Sequence, residues 1–230
     1  MRDLREDLEP IWRTAVRIPT SGDGGRVVLF VSALNGEGTT SVAASFACLA
    51  ARRSEKQAWL VDLDLKHNPV FRGFERRFAR DIGRPGRAYD ASLNQDPIYS
   101  VAPRLAESPQ NKLLTAHDVD GLPLLITRFR KERLTAGQTV SLRSSPPWWG
   151  AVRKISDWVI VDAPALERSA AAFSMIAEAD AIILVVEADR TTPSDVDLAR
   201  RDLEARGGQV IGAVLNKTGG DAMVADRVSA

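Results

Sequence analysis

Short, unbroken apolar runs recur along the chain, each closed by polar or turn-forming residues. They cover residues 27–31, 58–61, 158–161, 181–186 and 210–215, with a weaker run at 122–126. Such runs lack the alternation of a half-exposed strand and match strands covered on both faces, as a parallel sheet requires. Helix-length segments lie between them. Residues 40–53 are Ala-rich, 169–179 are similar, and 194–206 open on Ser-Asp and stop at Gly207-Gly208. Ser or Asp ahead of a periodic segment and glycine behind it are start and stop signals for a helix. Strands alternating with helices predict an α/β fold, a doubly wound and mostly parallel sheet with helices on both faces. The rhythm breaks between about 70 and 150. That stretch is rich in Arg, Pro and Ser and holds both tyrosines, Tyr89 and Tyr99, so it reads as helices and long loops at one end of the sheet. With no linker and no repeat, the predicted organisation is an N-terminal helical extension over 1–25. A single domain over 26–230 follows, with an insertion at about 70–150.

Composition narrows the function classes. Of 230 residues, 44% are hydrophobic and 27% charged, ordinary values for a globular chain. The 31 basic and 30 acidic side chains leave a net charge of +1, which argues against gripping nucleic acid by bulk charge. Cys48 is the only cysteine, so an internal disulfide and a cysteine zinc site are excluded. His67 and His117 show no metal-ligand spacing. The charged start, MRDLRED, does not read as a signal peptide, and the longest apolar runs are too short to span a bilayer. The expected location is the cytoplasm.

The first strand runs into Ser32-Ala33-Leu34-Asn35-Gly36-Glu37-Gly38-Thr39-Thr40-Ser41, and a helix follows. Glycines between a strand and a helix N-terminus let backbone amides curl into an anion nest. Against the phosphate-loop pattern G-x-x-x-x-G-K-[ST], Ala33 takes the first glycine position, Gly38 the second, Thr39 the lysine position and Thr40 the hydroxyl position. The alternative for this loop is a tight turn that merely joins strand to helix.

Two acidic signals follow. The second strand ends in Asp62-Leu63-Asp64-Leu65-Lys66. Carboxylates two residues apart leave a strand on the same side, which would put both in the crevice of the glycine loop. There one can hold Mg²⁺ through water and the other orient a nucleophile, or the pair can simply cap a turn before Asn68-Pro69. A later strand ends in Asp162-Ala163-Pro164, the arrangement in which an acid after an apolar strand binds Mg²⁺ through water.

With these three blocks in order, the chain resembles the MinD/ParA group of deviant P-loop ATPases. The nearest branch is the cytoplasmic domain of bacterial tyrosine kinases of the CpsD/CapB type, which act in capsule and exopolysaccharide synthesis. That branch carries a loop like S-x-x-P-G-E-G-K-[ST]-[ST], to which Ser32–Ser41 correspond with Gly36-Glu37-Gly38 kept. Its D-x-D-x-[RK] block matches Asp62, Asp64 and Lys66, and its D-[TA]-P block matches Asp162, Ala163 and Pro164. The likeness covers about 27–70 and 156–218. It implies ATP or ADP with Mg²⁺ as cofactors. Nucleotide-binding residues by resemblance are Asn35, Gly36, Glu37, Gly38, Thr39, Thr40, Ser41 and Asn216, the last near the adenine. Thr40 and Asp162 take the metal role, and Asp62 and Asp64 the catalytic one. The implied partner is a membrane polysaccharide co-polymerase, a transmembrane chain-length or activator protein. A homo-oligomer is also implied; no nucleic acid is. The implied place is the inner face of the plasma membrane, reached through that partner.

Departures from the family pattern shape the functional expectation. Thr39 replaces the catalytic lysine, the early signature lysine is missing from Ala33-Leu34-Asn35, and residues 219–230 hold no tyrosine. The ring-forming E-x-x-R-x-x-R helix finds only Pro10, Arg13 and Val16, of which Arg13 agrees. The expectation is a kinase-like regulatory or adaptor protein with impaired or absent ATP hydrolysis and tyrosine kinase activity. One alternative is an active ATPase or tyrosine kinase with a relocated cation, Lys66 being nearest in sequence. Another is a ParA/MinD-like positioning ATPase. Trp148-Trp149 can dock a partner or pack against the sheet. The arginines at 72–87 and the basic run 128–133 can meet anionic surfaces or form solvated faces.

Overall fold

All six apolar runs form neighbouring parallel strands. The computed structural model describes residues 4–5, 7–76, 78–80, 82–103 and 112–218. Arg77 and Asp81 of the basic stretch, and the tyrosine-free segment 219–230, lie outside the described residues. In chain order the elements are α1 (Glu9–Ala15), β1 (Arg26–Ser32), α2 (Thr39–Ala51), β2 (Gln57–Asp62) and α3 (Pro69–Arg76). Then come β3 (Pro85–Asp90), β4 (Tyr99–Ala102), β5 (Leu114–Val119), β6 (Leu122–Phe129), β7 (Thr139–Leu142) and α4 (Pro146–Ile155). The chain finishes with β8 (Ser156–Asp162), a 3₁₀ segment (Ala172–Glu178), β9 (Ala181–Glu187), α5 (Pro193–Glu204) and β10 (Val210–Asn216). The eight-stranded sheet has the order β10-β9-β1-β8-β2-β6-β5-β3, parallel from β10 to β6 and antiparallel at β5 and β3.

Alternate residues of each central strand feed two separate cores. Val28, Phe30, Leu60, Ile160 and Ile183 pack under α1, α2 and α3. Val27, Leu29, Val31, Val61 and Val161 pack under α4, the 3₁₀ segment and α5. Cys48 is buried in α2, and α1 lays Trp12 on Trp158 with ring centroids 4.6 Å apart. Both faces of the sheet are covered, which is why its strands are apolar throughout.

Three expectations need correction. The 70–150 stretch is not helices and loops alone: besides β6, which the weaker run at 122–126 predicts, β5 and β3 extend the sheet, and β4 pairs with β7 in a separate ribbon. Residues 172–178 form a 3₁₀ helix rather than an α-helix. The α5 cap is Thr192 rather than Ser194, with Asp195 completing a reciprocal capping box. Trp148 and Trp149 are fully buried, Trp148 donating its indole N–H to the Ala91 carbonyl at 2.7 Å, so the pair packs and is not a docking surface.

Beneath α4 lies a buried charge pair. Arg153 Nη1 donates to Asp180 Oδ2 at 2.6 Å and to the Gly25 carbonyl at 2.7 Å. Asp180 also accepts the Ser21 and Val27 amides and the Ser21 hydroxyl. This cluster ties the entry to β1 to the entry to β9.

Candidate functional site

Six loop residues, 33–38, join β1 to the first helical turn of α2 at the carboxyl edge of the parallel strands. In such sheets that edge, where β1 is flanked by strands distant in sequence, is where ligands bind. Gly38 precedes α2 at φ +93°, and a Cβ there would come within 2.2 Å of Asn216 Nδ2, so only glycine fits. The amides of Leu34 and Asn35 are taken by the carboxylates of Glu37 (2.7 Å) and Glu167 (2.5 Å). Among the described residues the amides from Gly36 to Thr40 have no such internal acceptor, which leaves a nest of donors at the start of a 13-residue helix.

The loop is braced from behind. Glu37 is fully buried, and its Oε1 accepts the Glu187 amide at 2.9 Å and the Thr191 hydroxyl. Asn216 Nδ2 donates to the Glu37 carbonyl at 2.8 Å, Lys217 Nζ to the Gly36 carbonyl at 2.8 Å and Arg190 Nη1 to the Asn35 carbonyl at 2.8 Å. The ends of β9 and β10 therefore hold the loop's shape.

A cleft of about 260 Å³ lies in front. Its walls include Asn35, Gly36, Gly38, Thr39 and Thr40 of the loop, together with Asp64, His67, Asp162 and Arg168. Burial pushes the Asp162 carboxyl up to about 7, against the Thr40 hydroxyl, which hydrogen-bonds it. The Asp64 charge adds to the rise and the Arg168 charge opposes it. Asp162 Oδ1 is buried with no partner. A buried carboxylate with an orphaned oxygen beside a hydroxyl is a donor set that fits a hard divalent cation. Asp162→Asn is expected to raise stability in metal-free buffer at pH 8 by about 1–3 kcal/mol, since the charged form is the one burial disfavours. Because the folded-state value lies above the unfolded one, the gain shrinks as pH falls below 7. Chemical denaturation at pH 8 and pH 5 checks this.

The predicted residues do not all converge. Asp62 is a correction: it does not line the cleft. Its Oδ1 accepts the Asp64 amide at 2.8 Å and its Oδ2 the Val70 amide at 3.0 Å. Asp62 ends β2 and Asp64 sits beyond it in a turn, where the strand's two-residue alternation no longer applies. Burial, then the neighbouring Asp162, hold the Asp62 carboxyl well above the usual range. Ser41 stands one residue further into α2 and is not on the cleft wall, and the Glu37 carboxylate and Asn216 amide serve as braces. Lys66 is exposed and lines a separate, adjoining cavity of about 760 Å³ rather than this cleft. Sequence reasoning missed Arg168, whose guanidinium is ion-paired with Asp64, and missed Glu187, which binds Arg190 at 2.9 Å and Lys217 at 3.0 Å. Its place four residues after the D-A-P block was the only available signal for Arg168.

The fold is that of a doubly wound, P-loop NTPase-like α/β domain. No protein-family model and no curated protein sequence matches the chain. Among solved structures it is similar to the kinase domain of VpsO, at 20% identity and a TM-score of 0.62, with 94% of each chain covered. It is also similar to the kinase domain of the Escherichia coli tyrosine kinase ETK, at 16% identity and 0.56, over 94% of this chain and 76% of that one. A third is the septum site-determining protein MinD from Pyrococcus horikoshii complexed with Mg-ADP, at 18% identity and 0.55, over 85% and 71%. These likenesses establish a shared fold.

Proposed function

We propose that the protein is a kinase-like regulatory or adaptor member of the bacterial polysaccharide-synthesis tyrosine kinase family. It binds Mg-nucleotide weakly in the Gly36–Thr40 cradle and transfers phosphate slowly or not at all. The observation that carries the reading is a braced phosphate loop, with Thr40, Asp64 and Asp162 in place, whose lysine position is filled by Thr39. Mg²⁺, held by Thr40 and Asp162, would neutralise phosphate oxygens. Thr40 and the loop amides orient the phosphates, while Asp64, at the mouth of the cleft, is placed to orient an attacking group. What Thr39 removes is the ammonium that offsets charge as the terminal phosphate leaves.

The proposed partner is a membrane polysaccharide co-polymerase that senses the cradle's state. None of the described helices is long and apolar enough to cross a membrane, so attachment would run through that partner. In α1, Glu9 is engaged by Arg53 at 2.8 Å and by Arg13 at 3.7 Å within the same chain. A homo-oligomer would need other contacts than the family's usual helix.

Calorimetric titration with Mg-ATP, paired with a steady-state phosphate-release assay, tests the proposal. Expected are weak, saturable binding and turnover close to the uncatalysed background. Micromolar binding with steady hydrolysis would instead favour the active ATPase or kinase reading.

A further inference from the structure

We propose that Arg168 is the cation that meets the terminal phosphate of ATP in this cleft, in competition with Asp64, and that it gives the protein its preference for ATP over ADP. The inference rests on the nucleotide reading above and deepens it.

Among the described residues lining the cleft, Arg168 alone carries a permanent positive charge. The other basic groups nearby are committed elsewhere. Arg190 and Lys217 bind the outer carbonyls of Asn35 and Gly36 and share Glu187. Lys66 faces the larger cavity. Arg168 lines both spaces, as do Asp64, His67 and Pro164, so it stands at their junction.

Its backbone is fixed with respect to the phosphate loop. The Leu166 amide donates to the Ser32 carbonyl at 2.9 Å, the Glu167 amide to the Ala33 carbonyl at 3.2 Å, and the Glu167 carboxylate holds the Asn35 amide. A partly exposed guanidinium on such an anchor can change partner without the chain moving. Guanidinium forks suit phosphate oxygens, and a terminal phosphate carries more charge than one carboxylate. Asp64 would not be stranded by the exchange, because His67 Nδ1 lies 2.8 Å from its other oxygen. Without Arg168, the cleft would present Asp64 and Asp162 to a polyphosphate with no side-chain cation to offset them.

Calorimetric titration of the purified chain with Mg-ATP and with Mg-ADP tests this in the wild type, Arg168→Ala, Arg168→Lys, Asp64→Asn and the Asp64→Asn/Arg168→Ala double variant. Thermal melts report that each variant is folded. The wild type is expected to favour ATP. Arg168→Ala should lower ATP affinity about tenfold and ADP affinity less than twofold, the scale of one charged hydrogen bond. Arg168→Lys should fall between. Asp64→Asn should tighten ATP several-fold, and the gain should vanish in the double variant. Equal ATP affinity in the wild type, Arg168→Ala and Arg168→Lys overturns the assignment. So does an Asp64→Asn gain that persists without Arg168, which would make Asp64 a simple repeller. If neither the wild type nor Asp64→Asn binds either nucleotide, the nucleotide reading itself falls.

Discussion

Thr39→Lys is expected to raise ATP turnover by about 10²–10³-fold, the usual size of one fixed transition-state donor. Thr39 is the first residue of α2, is 7% exposed and lines the cleft together with Thr40, Asp64 and Asp162. A lysine there would carry its ammonium from the phosphate loop itself, where charge builds as the β–γ bond breaks. Arg168 comes from the loop after β8 and not from the phosphate loop, so a lysine at position 39 would add a second cation from a different element. Phosphate release measured for Thr39→Lys, with Thr39→Lys/Asp162→Ala as the background, reports the gain. A rate equal to that of the wild type would mean that more than the lysine is missing.

The largest expected loss of stability comes from Asp180→Ala, about 3–5 kcal/mol by denaturant unfolding at pH 7. The change leaves the buried Arg153 guanidinium without its carboxylate and frees the Ser21 and Val27 amides together. Burial by itself would raise the Asp180 carboxyl, but bonds from Arg153, Ser21 and Val27 outweigh it and hold the group below its ordinary value. A depressed folded-state value stabilises the fold above the unfolded carboxylate range, and the contribution is lost as pH falls through the folded value. The gap between wild type and variant should therefore be full at pH 7 and narrow in acid, below about pH 4. A gap that does not change with pH would show that lost packing, not charge, sets the cost.

The legible part of the fold was the part buried on both sides. Continuous runs such as VVLFV and AIILVV are too short for a helix and rich in β-branched residues, which points to covered strands, and all six took parallel places in the sheet. The antiparallel strands β3 and β5 were illegible because PGRAYD is mostly exposed and LTAHDV mixes Asp and His with apolar residues, so neither shows a period. In the site, Gly36, Gly38, Thr40 and Asp162 were readable from local spacing. The Asp62–Asp64 pair misleads because Asp64 lies two residues past the end of β2, where the alternation of a strand no longer holds. Arg168 lies 104 residues from the carboxylate it binds, a juxtaposition that only the folded sheet creates.

The ties from Glu37, Asn216, Lys217 and Arg190 mean that the loop owes its curvature to its neighbours at the sheet edge and not to an incoming guest. On the proposed function, little ordering would remain to be done on arrival. A change at position 39 would then alter the chemistry done on a bound phosphate chain while leaving the backbone curvature of the loop as it is.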